Sequence, residues 1–136
     1  MVPRLSILLV DDNHFDRELA RWALASLLSP PTPLAITEAA TWDEARVTLD
    51  AGGVDLVLLD FHLPGRTGLD VLDELRGRPD RPPVIMMTGR DDIETVAETL
   101  RAGADDYVRK GIDWAPELCR ATRRAIAAVR RSAGSA

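Results

Sequence analysis

Two short apolar runs in this chain stop abruptly at acid, and they restrict its fold more than any other feature. Ser6-Ile7-Leu8-Leu9-Val10 ends at Asp11-Asp12, and Val54-Asp55-Leu56-Val57-Leu58-Leu59 ends at Asp60. A third run, Val84-Ile85-Met86-Met87-Thr88, is fenced by Pro82-Pro83 and Gly89. Runs this short and this apolar suit strands buried on both faces, and so a parallel sheet with helices on each side. Leu34-Ala35-Ile36-Thr37-Glu38 and Asp106-Tyr107-Val108-Arg109 are weaker strand candidates, which brings the number to five.

Helical patterns fill the gaps. Phe15, Leu19, Trp22 and Ser26 follow helical spacing, and Ala23 and Leu27 widen that stripe. Thr41-Trp42-Asp43-Glu44 reads as a capping box, in which Thr41 and Glu44 each satisfy a free backbone N–H. Its helix stops at Gly52-Gly53, where a left-handed turn costs little. Thr67 opens a third helix with Leu69, Leu72 and Leu75 apolar. Ile93, Val96, Ala97 and Leu100 mark a fourth, stopped by Gly103. The last runs from about Asp113 to Arg131, with Leu118, Cys119, Thr122, Ile126 and Val129 inward. Trp22, Trp42 and Trp114 read as packing residues and Cys119 as a packed thiol. Arg120, Arg123, Arg124, Arg130 and Arg131 read as a solvated helix face, or as an interface for an acidic partner.

The order is therefore βαβαβαβαβα, an α/β chain with helices on both faces of a parallel sheet. With 136 residues it fits one domain, with a core over about residues 5–131 and a short tail at 132–136. The Pro-rich segment at 29–33 reads as a stiff, extended loop. A net charge of −5 argues against a nucleic-acid module, which usually carries a basic face. Cys119 is the only cysteine, so no intrachain disulfide forms, and a reducing, cytoplasmic compartment is the plain expectation. No apolar run approaches the roughly 18–20 residues that span a bilayer.

Ligands of a parallel α/β sheet bind beyond the C-terminal ends of its strands. The residues expected there are Asp11 and Asp12, Asp60, Thr88 and Lys110. Three clustered carboxylates repel one another unless a cation lies between them. An all-oxygen set suits Mg²⁺, which keeps several waters and so has room for phosphate oxygens. Lys110 adds a positive charge and Thr88 a hydroxyl donor. A carboxylate can itself be the nucleophile and form an acyl phosphate. Asp60, on the central strand, is the candidate. Taken singly, each residue has a plainer reading: Asp11 and Asp12 as helix caps, Asp60 as a turn residue, Thr88 as a strand end and Lys110 as a surface lysine.

Together, Asp11-Asp12, Asp60, Leu63-Pro64-Gly65-Arg66-Thr67-Gly68, Thr88, Tyr107 and Lys110 resemble the receiver domains of two-component response regulators, in the single-domain style of chemotaxis regulators. The resemblance runs from Ile7 to about Val129. It implies the flavodoxin-like (βα)5 fold with strand order 2-1-3-4-5. It implies that Asp60 takes a phosphoryl group from a sensor histidine kinase or a histidine phosphotransfer protein. Mg²⁺ would be held by Asp12, Asp60, Asp11 and the backbone carbonyl of His62. Thr88 and Lys110 would bind phosphoryl oxygens. Thr88 and Tyr107 would form the switch that alters the surface of the fourth helix, fifth strand and last helix. A homodimer is compatible with the resemblance, and a catalysed reaction beyond its own phosphorylation and dephosphorylation is not expected.

The chain departs from that pattern at Gly111, where proline commonly follows the lysine. By the resemblance, His62 and Arg90 occupy positions that flank the phosphoryl site, and their bulk is expected to slow or redirect dephosphorylation. An unchanged lifetime of the phosphorylated form after both are replaced by alanine would contradict this. Other functions are weaker fits. Phosphatases of the haloacid dehalogenase type place a second Asp two residues after the first, whereas Asp11 and Asp12 are adjacent and Asn13 follows. A receiver-like interaction module without phosphorylation, or the amino-terminal receiver of a longer regulator, are the remaining readings.

Overall fold

The computed structural model describes residues 4–89 and 93–134. Its main sheet contains β1 (Leu5–Val10), β2 (Leu34–Ala39), β3 (Leu56–Asp60), β6 (Val84–Thr88) and β7 (Asp106–Arg109). They lie in the order β2-β1-β3-β6-β7, and every neighbouring pair is parallel. Counting only these five, the order is 2-1-3-4-5, as the resemblance implies. The helices are α1 (His14–Ser26), α2 (Trp42–Ala51), α3 (Gly68–Leu75), α4 (Ile93–Arg101) and α5 (Trp114–Gly134).

The apolar runs form the centre of the sheet for the expected reason. Every residue of β3 and β6 is buried, because helices cover both faces. Alternate side chains serve opposite sides. Ile7, Leu9, Leu58, Ile85 and Met87 pack with Ala20, Ala23, Leu118 and Ile126 of α1 and α5. Leu8, Val10, Leu59 and Met86 pack with Trp42, Val71, Leu72 and Leu75 of α2 and α3. The edge strand β2 exposes Thr37 and Glu38, which explains its weaker pattern.

A small hairpin, β4 (His62–Leu63) with β5 (Arg66–Thr67), follows β3. Gly65 turns it with φ 72°, a left-handed conformation that strains other residues. Thr67 then caps α3 reciprocally with Asp70: each side chain accepts the other's backbone N–H. At α2 the expected box is only half formed. Thr41 accepts the Glu44 N–H, but the Glu44 carboxylate takes the Ala40 N–H at 3.0 Å. Glu74 of α3 ties the two helices together, accepting from the buried Trp42 indole at 2.7 Å and twice from Arg46.

Two expectations are corrected, one on α1 and one on α5. The inward face of α1 is Ala20, Ala23 and Leu24; of the expected stripe only Ala23 is buried, and Phe15, Leu19, Trp22, Ser26 and Leu27 are exposed. Phe15 is 78% exposed and Trp22 54%. The helix carries apolar residues on two faces, and the one with small alanines allows close approach to the sheet and α5. The fourth helix lies where Ile93, Val96, Ala97 and Leu100 mark it; among its described side chains Thr99 is the buried one, its hydroxyl donating to the Thr95 carbonyl, and Leu100 is exposed. The hydroxyl satisfies itself within its own helix, so burial there leaves no open donor. In α5, Val129 is only half-buried. Trp42, Trp114 and Cys119 are buried as expected, and the five arginines of α5 are exposed. The Pro-rich loop docks rather than hangs free: Pro33 accepts the Leu5 N–H, and Ser29 accepts from Arg123. Arg90 lies outside the described residues. Among those described, no helix is long and apolar enough to cross a membrane.

Candidate functional site

Sheet register brings the strand ends together. Val10 lies beside Leu59, Asp60 beside Met87, and Thr88 beside Arg109. The next residue along each chain therefore arrives at one edge: Asp11 after β1, Phe61 after β3 and Lys110 after β7. Backbone bonds extend the ladder past the strands. Asp11 N–H donates to Ala39, Phe61 N–H to Met87, and Lys110 N–H to Thr88 at 2.7 Å. The acidic and basic side chains are thus held by the most rigid part of the fold.

Asp11, Asp12 and Asp60 each offer a carboxylate oxygen, and these oxygens lie within 4.8 Å of one another. Asp11 is fully buried, Asp60 nearly so, and Asp12 is exposed. The plainer cap reading for the acidic pair does not hold, because Asn13 caps α1 through the Asp16 N–H. Asp11 instead accepts the Asn13 N–H with one oxygen and the Lys110 ammonium with the other, at 2.5 Å.

Burial pushes the Asp60 carboxyl up from 3.8 to about 7. The Lys110 charge opposes that, the Asp11 charge adds to it, and the His62 backbone N–H opposes it. The carboxylate is therefore held against a gradient that a cation would relieve. Burial alone would lower the Lys110 pKa, but hydrogen bonds to Asp11 and Asp16 and the charge of Asp60 outweigh it, and the pKa lies above the ordinary lysine value. Lys110 Nζ is 2.9 Å from Asp16 and 3.6 Å from Asp60. It also lies 5.7 Å from the centre of the Trp114 ring, within cation–π range.

Thr88 is buried at the end of β6, one strand from Asp60. Tyr107 is half-buried in β7 and packs against the α2–α3 side of the core. His62 is exposed, with its ring edge-on to Phe61 at 4.9 Å. Two residues of the site escaped the sequence reading. Asp16 sits in the first turn of α1, not at a strand end. Arg17, beside it, donates to the Asp11 carbonyl at 2.8 Å and to Glu38, fixing the start of α1 over the acidic pair.

The arrangement can hold a hard cation between carboxylates and can neutralise an incoming anion with an ammonium. Carboxylate, hydroxyl and amine at one edge of the sheet suit phosphoryl transfer, in which positioning and charge neutralisation dominate.

Similarity to known proteins agrees. The pattern of the response regulator receiver domain matches residues 7–123. The transcriptional regulatory protein FixJ of Azorhizobium caulinodans is 36% identical over 98% of this chain and 57% of its own length. This chain thus spans less than two thirds of that relative. The signal receiver domain of an HD domain-containing protein from Pseudomonas fluorescens Pf-5 superposes with a TM-score of 0.83 at 26% identity, covering 98% of this chain and 95% of that one. The receiver domain of a LuxO repressor protein from Vibrio parahaemolyticus shares the fold, with a TM-score of 0.84 at 23% identity, over 96% of this chain and 95% of that one. The chain belongs to the receiver domain family of two-component response regulators.

Proposed function

We propose that Asp60 is the phosphoryl acceptor of this receiver, and that its donor is a phosphohistidine of a sensor kinase or a histidine phosphotransfer protein. The observation that carries this is the gathering of Asp11, Asp12 and Asp60 within 4.8 Å, with the Lys110 ammonium 3.6 Å from Asp60. A carboxylate oxygen of Asp60 attacks phosphorus and forms a P–O bond. The P–N bond breaks, its electron pair goes to the imidazole nitrogen, and a proton from solvent completes the histidine. Hydrolysis returns Asp60 as water takes the phosphoryl group.

The donor set fits Mg²⁺. Asp11, Asp12, Asp60 and the His62 carbonyl would hold it, and the other ligands would be water. When bound, the ion neutralises charge on the carboxylates and on the phosphoryl oxygens. Lys110 and Thr88 bind phosphoryl oxygens from the other side. Thr88 and, through the β7 edge, Tyr107 then report the added charge to the surface of α4, β7 and α5. This is a local charge event that biases a two-state surface. That surface would serve an effector or a second copy of the chain. The kinase would approach the strand-end edge, beside which α1 exposes Phe15 and Trp22. A cytoplasmic site of action is consistent with a histidine-kinase donor.

The test is phosphorylation by a small acyl or amido phosphate, read by intact mass. A gain of one phosphoryl group that requires Mg²⁺ and is lost in Asp60→Asn supports the proposal. No gain in the wild type, together with no Mg²⁺ binding, would favour an interaction module without phosphorylation.

A further inference from the structure

An ammonium has three N–H donors, and Lys110 spends two of them away from the acceptor. One goes to Asp11 at 2.5 Å and one to Asp16 at 2.9 Å. Asp60 is 3.6 Å away, beyond a hydrogen bond. Asp16 does not arrive there by chance of a loose side chain. Its backbone N–H is bound by the Asn13 cap at 3.1 Å, and Arg17 pins the same turn to the Asp11 carbonyl. The Asp16 side chain is 31% exposed, and the start of a helix favours a negative group. On its other side Lys110 faces the Trp114 ring, which sits at the start of α5 where the loop through Gly111 gives no proline constraint.

We propose that Asp16 is a positioning residue that holds Lys110 off Asp60 until a phosphoryl group arrives, which follows from one ammonium bonded to Asp16 at 2.9 Å and left 3.6 Å from Asp60. The inference rests on Asp60 being the acceptor. Adding a phosphoryl group raises the local negative charge toward about −2. Lys110 then exchanges its bond to Asp16 for one to a phosphoryl oxygen. The competition with Asp16 lowers the affinity of the site for a phosphoryl group, and so sets the point at which the receiver switches.

Beryllium trifluoride with Mg²⁺, a tetrahedral mimic of a phosphoryl group on a carboxylate, gives a binding constant on the whole chain. Calorimetric titration would compare the wild type with Asp16→Ala, Asp16→Asn and Glu18→Ala. Glu18 is an exposed acid of α1 paired with His14, so its loss removes the same charge without touching Lys110. Asp16→Ala should bind roughly three- to tenfold more tightly, the scale of one partly exposed charge-assisted hydrogen bond. Asp16→Asn, which retains an acceptor oxygen, should fall between. Glu18→Ala should match the wild type. Weaker or unchanged binding by Asp16→Ala, or an equal gain in Glu18→Ala, would overturn the role of Asp16. A wild type that does not bind the mimic at all would overturn the acceptor reading and this inference with it.

Discussion

Asp60→Asn should make the cation-free protein more stable, although it removes the proposed reactive group. The structure supplies the size of the effect. Burial and the neighbouring Asp11 and Asp12 charges raise the Asp60 pKa from 3.8 to about 7. For a carboxyl raised on folding, the native state binds more protons than the unfolded state between these values, so stability falls as pH rises through that window. The full penalty is present above about pH 7 and absent below about pH 4. A rise of that size corresponds to at most about 4 kcal/mol. That rise already includes the opposing Lys110 charge, and relaxation around the site brings the net gain on substitution to about 1–3 kcal/mol. Urea denaturation with a chelator present, at pH 5 and pH 8, measures it. The gain should be small at pH 5 and larger at pH 8, and Mg²⁺ should stabilise the wild type more than the variant. Equal stability of the two proteins at both pH values, or a loss in Asp60→Asn at pH 8, would refute the reasoning.

Lys110→Ala should act in the opposite direction. It leaves the fully buried Asp11 facing Asp60 without its cation and should cost about 2–4 kcal/mol in urea with chelator, much of it recovered with Mg²⁺. Glu74→Ala strips the buried Trp42 indole of its acceptor and should cost about 1–3 kcal/mol by chemical denaturation. The hydrogen bonds from Arg46 lower the Glu74 pKa, so that contribution is present at neutral pH and is lost as pH falls below the ordinary glutamate range. Trp22→Ala should change stability by less than about 0.5 kcal/mol, because Trp22 is 54% exposed, while weakening receipt of phosphoryl groups from a kinase but not from a small donor.

The contrast between β3 and α1 shows what the sequence could and could not reveal. A strand covered on both faces must be apolar throughout, so Leu56 to Leu59 identify themselves, and the acid that ends the run identifies the site. The same logic places Asp11, Asp60, Thr88 and Lys110 at one edge from the sequence alone. A helix with apolar residues on two faces gives no such answer. Periodicity located α1, but the choice between Phe15–Leu19–Trp22 and Ala20–Ala23–Leu24 depends on how closely α1 and α5 approach, which is a tertiary quantity. The β4–β5 hairpin is too short for any period to register, and Pro64-Gly65 is the turn signal inside it. Asp16 lies in the first turn of α1 and not at a strand end, so no apolar run points to it. Its spacing was a usable signal, since a residue three positions after the Asn13 cap stands in the first turn above the strand that carries Asp11. The Glu74 bonds to Trp42 and Arg46 join positions about thirty residues apart in sequence, and no local pattern encodes them.

The central claim is that phosphorus becomes bonded to one carboxylate. The most direct measurement is to treat the chain with acetyl phosphate and Mg²⁺, reduce the acyl phosphate with borohydride, and locate the resulting homoserine by tandem mass spectrometry. The account predicts homoserine at position 60, with Asp11 and Asp12 unmodified and no product when Mg²⁺ is chelated. Homoserine at position 11 or 12 instead, or a product formed equally well without Mg²⁺, would contradict it.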